Sequence, residues 1–100
     1  MSPFDLPIGK SLISEDDRIK NVVTRTSEDM VCMELFDPIT DHPVLTVHQN
    51  LRSSSAEIVL AEREFWTTTI DGAPLGERAI PVNVSSWSAD LPTRRLTIET

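Results

Sequence analysis

The fold is decided by Met30-Val31-Cys32-Met33-Glu34-Leu35-Phe36, Asp37-Pro38-Ile39-Thr40-Asp41-His42-Pro43 and Val44-Leu45-Thr46-Val47-His48-Gln49-Asn50-Leu51, read as one continuous stretch. Two apolar-rich runs of strand length flank a segment with two prolines and two aspartates, which is the chemistry of a loop. From Met30 onward the pattern has a period of two, so the stretch predicts a β-hairpin.

Working outward toward the C-terminus, Ser53-Ser54-Ser55 breaks the chain, and Ile58 to Ile70 is rich in β-branched and aromatic residues. Trp66-Thr67-Thr68-Thr69-Ile70 predicts a strand. Residues 55 to 65 read either as strand or as a helix opened by Ser54 with Glu57 and carrying Ile58, Ala61 and Phe65 on one face. Asp71-Gly72 is a turn dipeptide, and with Pro74 and Gly76 it predicts a second hairpin returning through Ala79 to Val84, its loop longer than two residues. Pro81 cannot donate to a ladder and belongs at an edge or a bulge. Ser85 to Asp90 reads as a polar connection, and Arg95 to Glu99 as a final strand with Leu96 and Ile98 on one side.

Toward the N-terminus the pattern changes. Met1 to Leu12 combines Pro3, Pro7 and Gly9 with Phe4, Leu6, Ile8 and Leu12, which disfavours regular structure and predicts an extended arm with apolar anchors. Ser14 before Glu15, Asp16 and Asp17 reads as a helix cap. Ile19, Val22 and Val23 supply an apolar face, predicting a helix of about two or three turns whose β-branched residues would equally suit a strand. The expected architecture is therefore mainly β, as a small antiparallel sheet, sandwich or barrel with at most one or two short helices; a β-rich α+β arrangement is the variant. An arm over residues 1–12 precedes a single domain over 13–100.

Sixteen acidic against nine basic residues give a net charge of -7, which repels nucleic-acid phosphate, and Arg94-Arg95 lacks the aromatics and extent of a nucleic-acid surface. Direct nucleic-acid binding is not expected. No apolar run approaches the ~18 residues of a membrane span, and the N-terminus lacks the pattern of a secretory signal, so a cytoplasmic protein, or one incorporated in a virion, is expected. The single Cys32 lies among apolar neighbours and reads as a buried thiol.

Chemistry-bearing motifs are sparse. The three glycines form no phosphate cradle, and one cysteine cannot build a thiolate zinc site. Asp37, Asp41 and His42 share one loop and His48 follows, yet this spacing fits a turn held by aspartate hydrogen bonds better than a metal site. No serine sits in a nucleophile elbow. Asp16-Asp17 suits a helix start, and Glu62 with Glu64 suits a solvated strand face. Asn83-Val84-Ser85 matches a glycosylation sequon that a cytoplasmic chain would not use. No catalytic, cofactor-binding or metal residue is therefore expected, and no cofactor.

The expected function is that of a non-catalytic structural or assembly protein, such as a small virion or other homo-oligomeric subunit. Its partner would be a protein, self or heterologous, with no membrane involved. The alternative is a small acidic inhibitor or adaptor on a basic surface, and a metal-dependent enzyme comes third. The interface candidates are Phe4, Leu6 and Ile8 in the arm and Trp87, an aromatic set between serines.

Overall fold

In the computed structural model, residues 5–17, 19–37, 39–81 and 83–100 are described. The chain is mainly β and packs two sheets face to face without closing into a barrel. The first sheet is an antiparallel meander of β1 (Ser11–Glu15), β2 (Lys20–Arg25), β3 (Met30–Phe36), β4 (Pro43–Asn50) and β5 (Ala56–Leu60), in that spatial order. The second contains β6 (Thr67–Ile70), β7 (Ala73–Pro74), β8 (Ser86–Asp90) and β9 (Arg95–Glu99), ordered β7-β6-β9-β8.

The central hairpin is β3 with β4, paired from Met30 opposite Asn50 to Leu35 opposite Leu45, with a register shift between Leu35 and Phe36. Alternation sets the faces: Val31 and Leu35 of β3, Leu45 and Val47 of β4, and Ala56 and Ile58 of β5 are buried. Leu35, Leu45, Val47, Ala56 and Ile58 pack with Trp66, Leu91, Leu96 and Ile98 in one core, and Val84 bridges to Ala56 at its side. Burying these side chains against a second sheet is the main favourable term for so small a domain.

Several expectations are corrected. The helix expected from Ser14 is absent; β1 and β2 form a hairpin paired from Ser11 opposite Thr24 to Glu15 opposite Lys20. Asp16 closes its turn, its Oδ1 accepting the Ile19 amide at 3.0 Å, so the carboxylate read as a helix-start residue is a turn residue. Residues 56–60 are strand, and the helical alternative is reduced to a single 3-10 turn at Arg63–Phe65. Glu62 enters that turn at φ 53°, so Glu62 and Glu64 do not share a strand face, and Phe65, placed on the apolar face of the helical alternative, is 65% exposed.

The second hairpin is tighter than expected. Asp71 at φ 51° and Gly72 at φ 84° close a two-residue turn that pairs Ile70 with Ala73, the left-handed pair of a type I′ connection. The returning strand expected at 79–84 gives way to the two residues of β7, and Ser86 to Asp90, read as a connection, is β8 paired with β9. Between β6 and β9 the pairing is parallel, from Thr67 opposite Arg95 to Ile70 opposite Ile98.

Candidate interaction surface

The four-stranded sheet covers only part of the five-stranded one. The shared core takes its buried residues from β3, β4 and β5, while Val23 and Val31 belong to a second cluster capped by Leu6. Beyond this cluster lies β1, all five of whose residues are exposed, with Leu12 37% and Ile13 59% accessible. β1 is hydrogen-bonded to β2 on one side and, among the described residues, has no strand on the other.

Hydrogen-bond parity shows which backbone groups face outward. Arg25 N–H donates to Lys10 O at 3.0 Å and Asp16 N–H to Ile19 O at 3.0 Å, so the even-numbered residues of the β1 ladder aim their amides and carbonyls at β2. The odd-numbered Ser11, Ile13 and Glu15 turn theirs to the open margin. Their side chains share the sheet's outer face, where Ser11 and Thr24 hydroxyls hydrogen-bond at 2.8 Å and Ile13 lies opposite Val22. An uncovered strand with a β-branched apolar residue at its centre is a template for pairing with another strand.

Of the expected interface residues, Leu6 is 7% exposed and packs on Val23 and Val31, anchoring its segment to its own sheet. Ile8 is 62% exposed. Trp87 is half-buried on β8, opposite Ile98 and packed against the shared core. Phe4 lies outside the described residues. Leu12, expected as an apolar anchor of the arm, is instead a strand residue, and Ile13 goes unassigned in the sequence because a helix is expected from Ser14; the β-branched run Val22-Val23-Thr24 is the available signal for a hairpin.

The aspartate loop between β3 and β4 is structural. Asp37 Oδ1 accepts the Ile39 amide at 2.8 Å and the Thr40 amide at 3.4 Å, and its Oδ2 accepts from Arg94 Nη2 at 2.9 Å. The Ile39 amide foremost, with Thr40 and Arg94, holds the Asp37 carboxyl below its ordinary value. Arg94 also lies over the Trp66 ring, 5.6 Å from its centroid, so the pair joins the β3–β4 loop to the facing sheet. Asp41 pairs with Lys20 at 3.4 Å. Among the described residues no group of three His, Cys, Asp or Glu side chains is arranged to hold a metal ion.

Register also sets Cys32, His48 and Glu57 side by side on the outer face of β3, β4 and β5. Cys32 is half-buried rather than buried, and burial, then the neighbouring Glu34 carboxylate, raises its pKa. The thiol is thereby held protonated, the weakly nucleophilic form. A cleft of about 630 Å³ opens beside β6, lined by Arg63, Trp66, Thr68, Leu75 and Gly76 among others. Trp66 Nε1 and Thr68 Oγ1 have no hydrogen-bond partner among the described residues, but both atoms are sealed beneath the surface, so the cleft offers only its rim.

No known family, curated protein sequence or solved structure matches this chain. Among the described residues no helix is long and apolar enough to cross a membrane.

Proposed function

We propose that this chain is a non-catalytic assembly subunit that acts through protein-protein contacts made by the open margin of β1. The observation that carries this reading is the strand itself: five residues exposed on both faces, apolar at Leu12 and Ile13, with one side of the backbone facing outward. Margins of this kind are extended by strands from other chains, with main-chain hydrogen bonds supplying affinity and the alternating side chains supplying selectivity.

The test is solution mass by light scattering across micromolar to millimolar protein, for the natural chain and for Ile13→Lys. A lysine on an edge strand blocks pairing while leaving an exposed position unstrained. The expected result is a mass that rises with concentration and stays at 11.2 kDa in the variant. A natural chain that remains monomeric throughout overturns the assembly reading.

A further inference from the structure

Resting on that reading, we infer that the partner of β1 is β1 of a second copy, paired antiparallel about a two-fold axis through Ile13, which joins two five-stranded sheets into one. Backbone parity restricts the registers. Only Ser11, Ile13 and Glu15 offer amides and carbonyls outward, so odd-numbered residues must meet odd-numbered residues. Centring the axis on Ile13 matches all three at once: Ile13 meets Ile13, and Ser11 meets Glu15 at either side. Each of these pairs exchanges two hydrogen bonds, about six in total. Centring on Leu12 or Ser14 leaves one of the three without a partner inside the strand.

Side chains favour the same register. Odd meeting odd keeps the outer faces of both sheets on one side, so Ile13 packs on its symmetry mate with Val22 behind it. Lys10 and Asp16 lie at opposite ends of the β1 ladder. In the inferred register each Lys10 stands opposite Asp16 of the other copy, at the non-hydrogen-bonded positions where side chains approach most closely. Two cross-subunit charge pairs result by symmetry. They act at short range against the net charge of -7 on each chain, whose repulsion beyond ~8 Å is screened at physiological salt.

A strand pair this short buries less than the ~1,200 Å² of a standard interface, so a dissociation constant in the micromolar range is expected. Association is thus concentration-controlled.

Two measurements on the full chain test the register. Ile13→Pro removes the outward N–H at the axis, and proline is accepted on an edge strand where that amide faces solvent. The variant should keep the natural circular dichroism spectrum and thermal midpoint at low concentration and lose dimer, its dissociation constant rising at least 30-fold by sedimentation equilibrium. Zero-length carbodiimide coupling of mixed light and ¹⁵N-labelled chains should give a mixed-isotope Lys10–Asp16 cross-link by mass spectrometry. A dimer that survives Ile13→Pro, or couples between copies elsewhere and not at Lys10–Asp16, overturns the register while leaving assembly standing. A natural chain with no dimer at millimolar concentration overturns both.

Discussion

The two margins of the five-stranded sheet carry strands of equal length, five residues each, with opposite fates. β5 buries Ala56 and Ile58 under the facing sheet, and its margin is closed at Ala56, whose amide donates to Val84 O at 3.1 Å. β1 is apolar at Leu12 and Ile13 alone, against four of five residues in β5, and the facing sheet does not reach it. Both the apolar content of a strand and what lies across from it therefore separate core from surface here. One margin is buried at Ala56 and Ile58, and the other is exposed along its whole length.

The largest effect that would break this comparison is in the paired truncations Ile58→Ala and Ile13→Ala. Urea unfolding at low micromolar concentration should show Ile58→Ala destabilised by about 3 kcal/mol. Ile13→Ala should change monomer stability by less than ~0.5 kcal/mol, as expected at an exposed site. Equal losses would mean that the β1 margin is covered in solution.

A second pair sharpens the boundary between the two regions. Among the described residues of the N-terminal segment Leu6 covers Val23 and Val31, whereas Ile8, two residues on, is exposed. Leu6→Ala should cost about 2 kcal/mol in the same unfolding experiment and Ile8→Ala nothing measurable. The reverse ranking would assign the segment's anchoring to Ile8.

The smallest effect lies in pH. Asp37 on the covered side has its carboxyl pKa lowered by the Ile39 amide first, then by the Thr40 amide and Arg94; Asp71 is lowered by the Thr100 hydroxyl and amide. A folded pKa below the unfolded value of about 3.9 contributes stability that is present above that value and lost as pH falls through the folded pKa. Thermal midpoints of the natural chain should fall below about pH 4, with a shallower acid decline in Asp37→Asn. An unchanged acid limb in the variant would show that the loop clamp does not couple to unfolding.

Much of the β3–β4 hairpin was legible because its residues satisfy a local rule twice: period-two alternation within each run and proline with aspartate between them. Asp71-Gly72 marked its turn for the same reason, since few residue pairs accept two successive left-handed conformations. The N-terminal hairpin was misread because Ser14 to Asp17 satisfies two local rules, helix start and turn, and only cross-strand pairing with Lys20 to Arg25 selects between them. Ser86 to Asp90 was passed over because Trp87 and Ala89 are its only apolar side chains, half-buried, and the strand is defined by its pairing with β9. Of the candidate surface, Leu6 and Ile8 read alike in the sequence as apolar anchors, and only the structure separates them, with Leu6 packed on Val23 and Val31 and Ile8 exposed.

The sequence by itself determined a mainly β domain, the central hairpin, the Asp71-Gly72 turn and an acidic surface, because alternation, turn conformation and charge are properties of neighbouring residues. Only the tertiary structure decided the parallel pairing of β6 with β9, the bridge from Val84 to one sheet margin at Ala56 and the exposure of the other at Ile13. Those features depend on which distant segments meet across the core, and the free energy that selects among them comes from burial shared between residues far apart in the chain.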